Sequence, residues 1–207
     1  MIEYYELGEH LETAGDFRYP ASIALIRVCE DHPHITIREL RIAVQSNDRT
    51  EYIVIDAGDG RVNTGNPGGV RRKERLALQI NPKDRVPIVA RTLRKSVPRL
   101  SHQHAWVPGT PRTLCLYETA WSAEERSWTA ERFLRRVFWW LKESSELRLH
   151  REDQPLEQLF YLSPYQLILP TNHHEYANSD TRKLVIQEVQ SGPLSRGERC
   201  LRGMALP

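Results

Sequence analysis

A chain of 207 residues, 40% of them apolar, is long enough to bury one domain core and still carry an appendage. A formal net charge of +2 argues against the concentrated basic excess of a nucleic-acid binder, and no apolar run approaches bilayer-spanning length, so neither nucleic acid nor membrane is an expected partner. Cys29, Cys115 and Cys200 are widely spaced with no CxxC, which argues against a zinc ribbon or thioredoxin-type site; with an acidic amino terminus, MIEYYELGEHLE, in place of a signal peptide, the expected location is cytoplasmic.

In chain order, ASIALIRVCEDHP (Ala21 to Pro33) carries apolar residues at Ile23, Ala24, Ile26, Val28 and Cys29. This spacing predicts a short buried helix stopped by Pro33, with Cys29 as a core thiol. The period then shortens. ITIRELRIAVQ, EYIVIDA, ERLALQI and PIVARTL are four β-rich runs separated by turn residues, and they predict an antiparallel meander. Between the second and third lies AGDGRVNTGNPGGV, a loop by composition. It has neither the ligand spacing of a calcium loop nor, in GNPGGVRRK, the glycine–lysine pattern that cradles phosphates.

RKSVPRLSHQHAWVPGTPRTLCLYETAW follows, rich in proline and without regular periodicity. Loops of this length inside a domain are uncommon and often functional. TAERFLRRVFWWLKESSEL then predicts a strong helix. Phe133, Val137, Trp140 and Leu141 form its apolar stripe, while Arg132, Arg135 and Arg136 form a solvated face and, secondarily, a partner surface. After LHREDQPLEQLF, the runs YQLILP and RKLVIQEVQ predict two strands joined by a polar loop that holds His173 and His174. The final SGPLSRGERCLRGMALP is expected to fray. The expected architecture is an α+β domain over residues 1–163, with an N-terminal helix, a four-stranded antiparallel meander, an active-site loop and a C-terminal helix. Residues 164–207 form a two-strand extension and frayed tail.

Cys115, between Leu114 and Leu116, has two readings on the residues alone. Cysteine is among the most buried residue types, which favours a core position. It also ends a proline- and glycine-rich loop, with His102 and His104 shortly upstream, as a nucleophile would. A zinc site on His102, His104 and Cys115 would need a further ligand pair at suitable spacing, and none follows; no metal and no cofactor is expected.

Several stretches in series carry a resemblance. NPKDRVPIVARTL, SHQHAWVPGTPRTLCLYE, the Ala120–Trp121 pair with TAERFLRRVFWWL, and LHREDQPLEQLF together resemble the ubiquitin-conjugating enzyme family, in particular its bacterial relatives, over Ala21 to Phe160. The resemblance implies that Cys115 carries a ubiquitin-like modifier as a thioester. Its implied partners are that modifier, an activating enzyme and a protein target, and its implied setting includes antiviral defence. A thiol suits the task because its ester remains reactive toward amines. Where eukaryotic members have His-Pro-Asn, this chain has His102-Gln103-His104. His104 stands about where the asparagine would; a shifted alignment uses His104-Ala105-Trp106 instead, and neither supplies the asparagine. An imidazole N–H is able to donate the same oxyanion hydrogen bond. His150 and Asp153, in LHREDQP, are the implied groups beside the incoming amine, with turn and capping chemistry as their other reading. Two further readings stay open: a non-catalytic binding module of the same fold, and a cysteine hydrolase using Cys115 with His104 or His150.

Overall fold

The computed structural model describes residues 3–46, 48–103, 109–117 and 119–149, together with the backbone of three later strands. The chain divides into two units, Met1–Leu159 and Phe160–Pro207. The first is built on an antiparallel sheet of β1 (Glu9–Leu11), β2 (Ile35–Gln45), β3 (Asp48–Ala57), β4 (Glu74–Ile80), β5 (Ile88–Thr92) and β6 (Arg112–Thr113), paired in that order. Helix α1 (Pro20–Asp31) lies between β1 and β2 in the chain, and α2 (Trp121–Glu124) and α3 (Ala130–Ser145) follow β6. The class is α+β with a meander at its centre, but the sheet has six strands where four were expected. The additional strands, β1 and β6, have three and two residues, too few to show an alternating pattern in sequence.

Two helices cover one face of this sheet. Helix α3 starts at Thr129, whose hydroxyl accepts from the Arg132 N–H at 3.2 Å, and it buries Phe133, Leu134, Val137, Phe138, Trp140 and Leu141. Helix α1 starts with Pro20, whose missing N–H costs nothing in the first turn. Its cap comes from another element. The fully buried Glu51 of β3 accepts from the N–H groups of Arg18 (2.8 Å) and Tyr19 (3.4 Å), placing a carboxylate at the positive end of the helix. Leu25, Ile26 and Cys29 of α1 join the α3 residues over Ile53, Ile55, Leu76 and Leu78 in one core. On the opposite face a smaller cluster of Val54, Ala77 and Leu93 is covered by Tyr4, Tyr5 and Leu7.

The segment that leads to Cys115 leaves the sheet at Arg94. This arginine is 6% exposed and meets Glu74, 2% exposed, through two parallel bonds of 2.8 Å from Nε and Nη2. It also donates to the carbonyls of Gly69 (3.0 Å) and Ser96 (3.1 Å). A buried pair satisfied on this scale holds its surroundings in one arrangement, because any shift would strand a charge away from water. The β3–β4 loop is thereby tied to the start of the cysteine-bearing segment. The same loop meets the end of α3, where the Gly68 N–H donates to the Ser145 carbonyl at 3.0 Å. A Cβ at residue 68 would stand 2.0 Å from the Ser144 carbonyl oxygen, so only glycine fits this approach.

The second unit contains β7 (Tyr165–Ile168), β8 (Leu184–Val189) and β9 (Arg199–Ala205). The two runs read as strands do not pair with each other. Strand β9 lies between them, parallel to β7 and antiparallel to β8. Part of the segment expected to fray is therefore the central strand. A strand bonded along both edges has its backbone groups satisfied by its neighbours and needs little side-chain pattern of its own.

Candidate active site

Strand β6 is the sheet's last strand, and it runs directly into Cys115. Arg91 pairs with Thr113 and Thr92 with Arg112, and the Leu114 N–H donates to the Ala90 carbonyl at 2.8 Å. There the chain changes partner. Gln103 and Leu114 form an isolated antiparallel bridge, and the Cys115 N–H donates to the His102 carbonyl at 2.8 Å. That carbonyl also accepts from the indole N–H of Trp140, on α3, at 3.1 Å. One buried oxygen thus ties the cysteine segment to the core helix. His102 adopts φ 56°, a left-handed conformation uncommon outside glycine.

Extended geometry at this point alternates the side chains. Leu114 and Leu116 are 2% and 4% exposed, while Cys115 between them is half-buried. Its thiol Sγ donates to the Tyr117 carbonyl at 3.6 Å, a weak bond. The Leu116 carbonyl accepts from Arg136 Nε at 2.6 Å, and the Arg136 guanidinium lies 3.9 Å from the centre of the Trp139 ring. Helix α3 therefore supports the cysteine segment at two places, through Trp140 before it and Arg136 after it. Upstream, Gln103 is buried, and its Oε1 accepts from the Leu100 N–H at 3.2 Å and from Arg112 Nη1 at 3.4 Å.

Just past Cys115 the chain separates two open grooves. One, of about 760 Å³, has Trp128, Trp139, Arg132 and Arg136 on its walls; the other, of about 600 Å³, has Ile88, Leu114, Leu116 and Trp121. Tyr117 and Thr119 belong to both. Burial, reinforced by Glu124, pushes the Tyr117 phenol above its ordinary range, so it is neutral at physiological pH.

Of the residues singled out in sequence, Cys115 and His102 are brought together through the His102 backbone carbonyl, and His102 is buried. His104, His150 and Asp153 lie outside the described residues, as do His173 and His174. Among the described residues, no three His, Cys, Asp or Glu side chains are grouped to hold a metal ion. Trp140 and Arg136, which brace the segment, were not singled out for it. Their spacing assigned them to an apolar stripe and a polar face, and no local signal tells which distant carbonyl a side chain will reach.

An α+β domain with an antiparallel sheet and helices packed on one face fits an E2-like family. The model of prokaryotic E2 family A matches residues 24–178, most of the chain. The chain belongs to that family, which implies protein partners such as an activating enzyme. No curated protein and no solved structure matches it. Among the described residues, no helix is long and apolar enough to cross a membrane.

Proposed function

We propose that the protein is a ubiquitin-conjugating-type acyl carrier: it accepts a ubiquitin-like modifier from an activating enzyme as a thioester on Cys115 and passes it to an amine of a target protein. The reading includes the ubiquitin-conjugating-enzyme arrangement of α1, the β2–β5 meander, the cysteine segment and α3. The observation that carries it is Cys115 itself, half-buried at the end of a sheet strand and gripped through its backbone, in a chain of an E2 family. Such a cysteine is held still while its sulfur stays within reach, as repeated acyl transfer requires.

Both steps exchange one acyl bond for another. In loading, Cys115 Sγ attacks the modifier's thioester carbonyl on the activating enzyme. The new S–C bond forms, the old one breaks, and the departing sulfur takes up the proton that Cys115 gives away. In transfer, the target amine attacks the carbonyl carbon, the N–C bond replaces the S–C bond, and the amine's proton is returned to the Cys115 sulfur. His104 donates to the oxyanion in each step, His150 and Asp153 receive the amine, and His102 positions the cysteine through its carbonyl. The more apolar groove beside Leu114 and Leu116 suits an extended modifier tail.

Mixing the protein with its activating enzyme and modifier tests this. The expected product is an adduct that a thiol reductant removes. Cys115→Ala should form none, and Cys115→Ser should form a slower, reductant-resistant oxyester. A full yield of reducible adduct on Cys115→Ala would overturn the proposal.

A further inference from the structure

The exposed face of α3 and the groove it walls have no part in holding the cysteine apart from Arg136. Arg132, Arg135 and Arg136 lie three and four residues apart and so share one helix face, and Arg61 approaches them from the β3–β4 loop. Trp128 and Trp139 supply flat apolar surface between these cations. Arg61 has a carboxylate of its own, Asp59, at 2.5 Å. Among the described residues, Arg132, Arg135 and Arg136 have no carboxylate partner: Arg132 donates to the Ser127 carbonyl, Arg136 to the Leu116 carbonyl, and Arg135 makes no hydrogen bond or ion pair. Glu124, which lines the same groove, is engaged by the Thr119 hydroxyl. The lining holds four arginines against Glu124, an excess of positive charge, although Arg135 also feels the charge of Glu131 one helical turn before it.

The groove is also elongated. A second depression of about 500 Å³, lined by His32, His34, Asp59 and Phe138, shares Arg61 and Arg135 with it. Together they run from Tyr117, two residues past the cysteine, across α3 toward the end of α1. A small ligand would occupy a fraction of that length; an extended chain would follow it.

From this charge complementarity we propose that the groove docks an acidic, extended segment of a partner protein. Its carboxylates pair with Arg132 and Arg135, and an apolar or aromatic side chain packs on Trp128 and Trp139. A polypeptide fits better than a nucleic-acid strand. A strand carries a charge at every nucleotide and would run its phosphates past Glu124, Asp59 and Glu131, whereas a peptide is able to space its carboxylates to avoid them. The proposal stands on the groove and does not depend on thioester formation at Cys115.

The test uses the full chain and a short fluorescein-labelled peptide in which glutamates alternate with glycine and serine around a central tyrosine, read by fluorescence anisotropy. Binding is expected at low salt and should weaken as salt is added, because these charges face solvent. The double variant Arg132→Glu/Arg135→Glu should weaken it by roughly tenfold or more, the scale of losing one to two well-made ion pairs. Arg27→Glu/Arg72→Glu makes the same change in net charge at exposed positions outside the groove, and it should leave binding within about a factor of two of the parent if attraction is local. Three results would overturn the proposal: no binding by the parent protein at low salt, an equal loss in both double variants, or a single-stranded oligonucleotide that binds more tightly and displaces the peptide. Formation of the Cys115 adduct is scored separately, so either proposal is able to fail without the other.

Discussion

Cys29 and Cys115 both have apolar neighbours in the chain, yet they differ in what reaches them. Burial, with a smaller contribution from Glu30, pushes the Cys29 thiol up to about 12, and its side chain is 1% exposed on the inner face of α1. At pH 8 roughly one such thiol in ten thousand is ionised. Cys115 is half-buried, with Sγ on the face opposite the buried leucines that flank it. Iodoacetamide is therefore expected to alkylate Cys115 in the folded protein and to leave Cys29 untouched until denaturant is added; peptide mapping by mass spectrometry reads both. Labelling of Cys29 at the faster rate would contradict this placement. The period of the α1 sequence made the Cys29 position legible, since Leu25 and Ile26, one helical turn before it, are apolar. For Cys115 the sequence left two readings open, because exposure at the end of a strand depends on where the next segment goes.

Longer-range order shows at the level of strands. The β2–β3 register shifts between Ile37 and Glu39, and Arg38 at that bulge donates to Asp56 at 2.7 Å. Arg75, the cross-strand partner of Asp56 on β4, donates to it at 2.8 Å. Burial by itself would raise the Asp56 carboxyl, but the hydrogen bonds and charges of the two arginines outweigh burial and hold it below the usual carboxylate range. A lowered folded-state value means that the stabilisation is complete above the unfolded carboxylate value, near pH 4, and is lost as pH falls through the folded one. Asp56→Asn should cost about 1–2 kcal/mol at neutral pH, a modest figure because Arg38 is half-exposed and screened. The gap from the parent should shrink as the pH is lowered through the acid range, as urea unfolding at each pH would measure; a gap constant across that range would exclude the linkage. The four long strands and two long helices were legible because each repeats its pattern over several residues. The Glu51 cap, the Arg94–Glu74 pair and the Arg38–Asp56–Arg75 row were not, since each joins residues well apart in sequence and leaves no local period.

On the scale of the whole molecule, the described core runs from Phe17 to Leu149, within the first unit. A chain of residues 1–163 is accordingly expected to unfold in one cooperative transition by circular dichroism, and a non-cooperative loss of signal would place part of its core elsewhere. Family membership was legible from motifs in series, although no single stretch was decisive, and the matched residues 24–178 extend past the expected domain end. The His102 carbonyl has a consequence in time. It reaches the cysteine's N–H from one side and the Trp140 indole from the other, and Trp140 is made later than both. A nascent chain whose α3 is still inside the ribosome already carries the sulfur but lacks the indole that braces its segment, so the support around Cys115 is completed only when synthesis has passed α3.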